Sequence, residues 1–266
     1  MARIARITLH PIKSLDGVAV EQASVSQGGT LAHDRAFALV DLEGKFVNGK
    51  RNKEVHLLRS EFDLDTHTVT LYRQDESDKH HRFQVEAQHA ELESWLSGFF
   101  GFPLRFMENA HTGFPDDLDA FGPTVLSSAT LAEVSAWFQD IERDNLRLRL
   151  RANLEIEGVP PFWEDRLFHE PGTVVEFTAG SVRMEGINPC QRCVVPSRDP
   201  TTGEPYPNFQ KIFATRREET LPSWTARSRF NHFYRLSVNT RIPSSESGKR
   251  IRIGDEVTVI GIKPVE

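Results

Sequence analysis

Short runs of alternating apolar and polar residues, each closed by turn residues, dominate the first third of the chain and constrain its fold class more than any other feature. Ile4, Ile7 and Leu9 open one such run, which Pro11 interrupts. Ala36-Phe37-Ala38-Leu39-Val40 is a second candidate strand, and Glu43-Gly44 reads as a hairpin turn into Lys45-Phe46-Val47. Phe62 and Leu64 alternate before the turn Asp65-Thr66-His67, Val69 and Leu71 alternate after it, and Phe83 and Val85 follow. Successive strand side chains point to opposite faces, so strands this short bury their apolar face only by joining a small barrel or sandwich.

The period changes near residue 88. Leu92, Trp95, Leu96 and Phe99 recur at helical spacing, with Gly101 and Pro103 as the stop. A second helix is predicted from Leu131, Val134, Phe138 and Ile141, with Thr130 and Glu133 as a capping box at its start. Strands are expected again at Leu146 to Glu155, Val174 to Phe177, Val182 to Met184 and Arg252 to Ile262. The segment Ser244 to Gly248 reads as a mobile loop. A boundary falls near residues 88 to 100 without an obvious linker, which favours two intimately packed halves.

Composition narrows the function. The 266 residues are 38% hydrophobic and 26% charged, which supports a packed core and excludes a disordered or collagen-like chain. No apolar run is long enough to span a bilayer as a helix. With 32 basic against 38 acidic residues the net charge is −6, a poor balance for nucleic-acid binding, so any anion site must be built locally. Met1 to Ile7 alternates as a strand and lacks the apolar core of a signal peptide. The two cysteines, Cys190 and Cys193, are too close to staple a distant loop, and a reducing cytoplasm suits them.

Four segments carry candidate chemistry. Asn188-Pro189-Cys190-Gln191-Arg192-Cys193-Val194-Val195-Pro196 admits several readings. Half a zinc site lacks a second CxxC. A thioredoxin-type pair needs a helix start, whereas Val194, Val195 and Pro196 favour extended chain. Two buried thiols act as small hydrophobes, while a thiolate suits a soft metal such as molybdenum. In Leu146 to Asn153, strand spacing puts the leucines on one face and Arg147, Arg149, Arg151 and Asn153 on the other. That row is either a wet face beside Glu142 and Asp144 or a cradle for phosphate. Ser127 and Ser128 cap the second helix, whose free N–H groups also suit a phosphate. Lys13-Ser14 and Asp34-Arg35 are weak alone: a solvated strand-end lysine and an exposed ion pair are the plain alternatives.

In their order these segments resemble the MOSC family, named for the C-terminal domain of molybdenum cofactor sulfurase. The similarity is greatest to the class with an added N-terminal β-barrel, which includes the amidoxime-reducing component and its bacterial relatives. It is carried by His10-Pro11-Ile12-Lys13-Ser14-Leu15-Asp16-Gly17, His33 to Asp41, Gly44-Lys45-Phe46, Leu126 to Leu131, Arg151-Ala152-Asn153-Leu154, Cys190-Gln191-Arg192-Cys193 through Gly203, and Gly248 to Val259. His10 and Ala152 depart from the aromatic residue and the proline common in the family. The resemblance implies a mainly β chain with a few helices (α+β), with an N-terminal β-barrel-like domain at residues 1–95 packed on a β-rich MOSC domain at residues 96–266.

The resemblance also implies a cofactor, the molybdenum cofactor (molybdopterin), with Cys193 as the catalytic cysteine and the molybdenum ligand. Lys13, Ser14, Arg35, Ser127, Ser128, Arg151 and Asn153 match positions that hold the pterin and its phosphate, and Arg51 is expected to reach the same site. The implied activity is reduction of small N-hydroxylated or N-oxygenated compounds. No cysteine follows Cys193, so no iron–sulfur cluster is expected in this chain, and electrons are expected from a separate ferredoxin- or flavoprotein-like donor. At the level of the family there is also an association with pyridoxal phosphate. Neither a membrane nor a nucleic acid is an expected partner. The alternative is a carrier of the cofactor, or of sulfur on Cys193, without small-substrate turnover.

Overall fold

In the computed structural model, which describes residues 1–265, strands β1 (Arg3–Leu9), β2 (Val18–Val20), β3 (Gln22–Ser24) and β4 (Phe37–Asp41) come first. A hairpin follows, β5 (Leu58–Asp63) and β6 (Thr68–Arg73), then β7 (His81–Gln84), helix α1 (His89–Phe100) and β8 (Leu104–Glu108). The later part holds β9 (Val125–Ser127), α2 (Ser128–Ser135), α3 (Arg143–Leu150), β10 (Leu154–Glu157), β11 (Thr173–Ala179), β12 (Val182–Gln191), α4 (Phe209–Glu219), β13 (Arg235–Arg241), β14 (Arg250–Arg252) and β15 (Val257–Pro264). The protein is mainly strands with four α-helices among the described residues, as the alternation predicts.

One sheet organises the molecule. Its order is β15-β11-β12-β13-β9-β10-β1-β2, and every neighbouring pair is antiparallel except β9 with β10. Smaller sheets pair β14 with β3, β4 with β8, and β5-β6-β7 in order. The family-level barrel is present here as β4–β8 and β5–β6–β7 packed about one core, and their hydrogen bonding does not close into a ring.

The cores cross the expected division. Ile4, Ile7, Leu9, Ala23, Val25 and Leu31 bury against Val125, Leu154, Phe177 and Val238 of the main sheet. A second core runs from Ile12 through Phe37, Leu58 and Leu96 to Phe106. Residue 95 lies inside α1, and β8 beyond it pairs with β4. The chain therefore enters the main sheet with β1 and β2, leaves to build the smaller core, and returns. The turn at Lys13 and Ser14 sits at that crossing, close to both halves.

Several local expectations need correction. Leu146 to Leu150 belongs to a helix, α3. Leu146 and Leu150, four apart, are buried while Leu148 is 51% exposed, so the burial period is helical. Leucine and arginine both favour helix, and an every-second-residue pattern hides an i, i+4 pair. The predicted strand is only its last part, β10. The second helix stops at Ser135, although Phe138 and Ile141 still bury in the core it shares with α4. Its N-cap is Ser127, whose Oγ accepts from the Thr130 amide at 3.0 Å, and Glu133 instead accepts from the Trp137 indole. Val195–Ser197 is a 3₁₀ turn rather than extended chain, and Cys190 lies within the long strand β12. Ser244–Glu246 is a 3₁₀ turn anchored by buried Glu246, which accepts from the Arg183 amide at 2.8 Å and pairs with Lys249.

Candidate functional site

A cleft of about 640 Å³ opens where the two cores meet. Lys13, Ser14, Asp34 and Arg35 line it from the N-terminal segments, Arg151 from the end of α3, and Cys190 and Cys193 from the end of β12. Its size is in the ordinary range for a small-molecule or cofactor site. A larger, more open depression of about 990 Å³ along Val20, Glu21, Arg250 and Ile253 holds no thiol and no buried cation.

Three cleft residues have left-handed backbone: Ser14 (φ 75°), Arg35 (φ 51°) and Arg151 (φ 55°). That region costs a non-glycine residue on the order of 1 kcal/mol, and such strain collects at functional sites. Arg151 is the C-cap of α3, and its amide donates to the Arg147 carbonyl at 2.9 Å. Glycine is the usual residue at such a helix end. An arginine there exchanges backbone ease for a guanidinium aimed into the cleft.

That guanidinium has no hydrogen bond and no ion pair among the described residues. Burial, then the nearby Arg35, lower it to about 10 from the usual arginine value. A half-buried cation without a protein partner is costly, and an anion in the cleft would offset that cost.

Arg35 is held differently. Its guanidinium pairs with Asp34 and donates to Asn153 Oδ1 at 3.3 Å. Asp34 is 9% exposed and also accepts from the His10 amide at 2.8 Å and Asn153 Nδ2 at 2.9 Å. Burial works against its carboxylate, but Arg35 and these donors hold it at about 2. The pair is therefore a buried clamp, not the exposed pair read from sequence. Lys13 Nζ donates to Asp116 Oδ1 at 2.7 Å and to the Phe114 carbonyl at 2.9 Å.

The thiols differ as well. Cys190 Sγ accepts from Arg192 at 3.4 Å, and Arg192 also donates to the Leu150 carbonyl at 2.6 Å. Cys193 Sγ has no hydrogen-bond partner among the described residues and is half-buried. Beside it the Tyr234 hydroxyl is buried without a partner, and burial pushes that phenol upward. The donor set is thus cations for a phosphate and a free sulfur for a soft metal, which fits a metal-bearing phosphorylated cofactor.

Not every expected residue reaches the cleft. Asn153 is 1% exposed and stands behind the wall, accepting from Thr124 and Arg35 and donating to Asp34 and the Thr8 carbonyl. Ser127 is fully buried in its capping role, and Ser128 Oγ donates to Glu155 at 2.7 Å; neither lines the cleft. Arg51 is half-exposed and pairs with Asp41 at 3.4 Å, outside the cleft that its neighbours Asn48, Gly49 and Lys50 line. Arg147 pairs with Glu155 and Asp144 away from the cleft, whereas Arg149 lines the cleft but is tied up by Asn145 and the carbonyls of Pro196 and Arg198.

Sequence reasoning missed Asp116 and Asp117. Asp117 accepts from Asn239 at 3.1 Å and Asn188 at 3.5 Å, so the two acids strap the 109–124 segment across the cleft. A cluster of acids between Phe114 and Phe121 was the available signal.

A family model for the MOSC N-terminal beta barrel domain matches residues 1–103, and one for the MOSC domain matches residues 124–258. The human mitochondrial amidoxime-reducing component 1 is 23% identical over 236 residues, covering 75% of this chain and 67% of that protein. Human molybdenum cofactor sulfurase is 24% identical over 260 residues, covering 80% of this chain but 28% of that protein. The YUAD protein from Bacillus subtilis overlays the whole chain and 97% of its own at a TM-score of 0.38 and 11% identity. Among the described residues no helix is long and apolar enough to cross a membrane. With both family models matched in order along most of its length, the chain belongs to the MOSC family, with the N-terminal beta barrel domain ahead of the MOSC domain.

Proposed function

We propose that the chain binds a molybdenum cofactor in this cleft and acts as an oxidoreductase on N-hydroxylated and other N-oxygenated compounds. One observation carries the reading: an unpartnered guanidinium, Arg151, and an unpartnered thiol, Cys193, line the same cleft. Bound there, the cofactor would supply two-electron chemistry at the metal.

The chain's own residues do the rest. Arg151 and Arg35 neutralise phosphate, and Cys193 offers sulfur to the metal. Asn153 and Asp34 hold the Arg35 guanidinium in place, so the cation is preorganised rather than recruited. Removing one oxygen from an N–OH group as water consumes two electrons and two protons. Both cysteines line the cleft, and in this reading a ferredoxin- or flavoprotein-like donor supplies the electrons. A cytoplasmic setting suits two free thiols.

The second reading is a cofactor or sulfur carrier. It is favoured by the second thiol, Cys190, lining the same cleft, and a sulfurase is among the relatives. The two are separated by loading the protein in a host that makes the cofactor. Molybdenum content, persulfide content and reduction of an aromatic amidoxime by an artificial donor are then measured. The oxidoreductase reading expects bound molybdenum and turnover that Cys193→Ala abolishes with the fold intact. Persulfide on Cys193 without turnover overturns it in favour of the carrier.

A further inference from the structure

The open depression of about 990 Å³ along Val20 and Arg250 shares no lining residue with the main cleft. One wall is the outer face of the β3–β14 ladder. There Arg250 stands opposite Ser24 and Arg252 opposite Gln22, while Ile251 and Ala23 between them turn the other way into the core. Strand alternation thus gathers two cations and two neutral hydrogen-bonding side chains on one face. All four line the depression.

This quartet is unsatisfied. Among the described residues the two guanidinium groups, the Gln22 amide and the Ser24 hydroxyl make no ion pair and no hydrogen bond, although Ser24 is half-buried. The arginines are two residues apart, about 7 Å along the strand, so each makes the other's charge less favourable. An anion between them removes that repulsion and accepts hydrogen bonds from four side chains at once. Glu21 and Asp65 also line the depression, but both are exposed to screening water and neither pairs with Arg250 or Arg252.

The rest of the lining is apolar. Val18, Val20 and Leu64 are half-buried in the same depression, and Ile253 is 47% exposed beside them. The Ile253 amide donates to the Glu21 carbonyl at 2.9 Å, which ties the bend between β2 and β3 to the strand that carries the arginines. The volume lies at the upper end of the range for small-molecule sites.

We infer that this depression is a second ligand site, for an amphipathic anion. Its carboxylate or phosphate head sits on Arg250, Arg252, Gln22 and Ser24, and its apolar chain lies along Val18, Val20 and Leu64. A free amphiphile and a membrane lipid share this chemistry; the concave site takes the free molecule. The inference stands on its own residues and is independent of the function proposed for the cleft.

The test titrates acetate, hexanoate and decanoate into the full chain by calorimetry, with thermal melting to check each variant. Both arginines are exposed, so Arg250→Ala and Arg252→Ala are expected to melt with the wild type. Decanoate is expected to bind, and each arginine variant to weaken it about tenfold, as loss of a charge-assisted hydrogen bond does. Affinity is expected to rise from acetate to decanoate, because each methylene leaving water adds to binding. Ile253→Asp, which keeps the quartet, is expected to weaken decanoate and leave acetate unchanged. Molybdenum content is expected to be the same in all three variants. No decanoate binding, or affinity unchanged in both arginine variants, overturns the site. Acetate binding as tightly as decanoate reduces it to an adventitious ion only. Sedimentation with phosphatidylglycerol vesicles is the second arm: a chain that binds vesicles and not free decanoate also overturns the inference.

Discussion

Lys13 and Asp116, 103 residues apart in the chain, meet across the mouth of the cleft at 2.7 Å. The pair is lopsided: the Lys13 side chain is 7% exposed and that of Asp116 is 71% exposed. Burial lowers the Lys13 ammonium, and Asp116 pulls it back up. The buried member is the fixed cation, and under the proposed function the exposed carboxylate would be a replaceable counter-ion in the place of a bound anion.

Asp116→Asn should therefore raise affinity for an anion in the cleft. Lys13 is buried and keeps only the Phe114 carbonyl when the carboxylate is removed, so the empty chain should lose about 1–3 kcal/mol of stability. Phosphate or cofactor binding several-fold tighter than in the parent, with that loss recovered when the anion is bound, is the expected outcome of calorimetry. Weaker binding would show that Asp116 orients Lys13 instead of competing for its ligand.

Asn153 makes its case through saturation. It is 1% exposed, and its amide both accepts from Thr124 and Arg35 and donates to Asp34 and Thr8. Asn153→Ala leaves several buried groups unpaired, at a cost of about 2–4 kcal/mol in urea unfolding. Arg35 should also lose its fixed position, so cofactor retention should fall more than stability alone explains.

Glu164 sets a pH dependence that does not involve the cleft. It is 1% exposed, both carboxyl oxygens lack partners, and burial followed by Asp165 raises it to about 7. Between its ordinary value of 4.5 and about 7 the folded chain holds a proton that the unfolded chain has released. Stability from this group is thus full at low pH and is lost as pH rises through that window. Glu164→Gln should leave stability near pH 4.5 unchanged and raise it at pH 8 by about 1–3 kcal/mol. Chemical denaturation at the two pH values measures both.

The legible parts of this molecule are those set by neighbours in sequence. The hairpin over Asp65-Thr66-His67, the turn at Ala179-Gly180 and helix α1 follow from local period and turn chemistry. Lys13, Ser14 and Arg35 were readable because their motifs keep them together. Arg151 lines the cleft from the end of a helix and not from the expected strand: a leucine–arginine alternation fits a strand by spacing and a helix by propensity, and only burial of Leu146 and Leu150 decides. Ser127 and Ser128 stand at a helix N-terminus, which suits phosphate in general, while in the fold Ser127 accepts from the Thr130 amide, Ser128 donates to Glu155 and neither lines the cleft. Asp116 was signalled only by the cluster of acids around it, since its pairing with Lys13 arises between segments that the chain brings together only after folding.

The central claim is that Cys193 and the basic wall opposite hold molybdenum. Molybdenum per chain, measured by mass spectrometry on wild type and Cys193→Ala purified from the same cofactor-producing host, tests it most directly. The account predicts metal stoichiometric with the wild-type chain and reduced metal in a folded variant that no longer reduces an amidoxime. A wild-type chain without molybdenum, or a variant that keeps both metal and turnover, would contradict it.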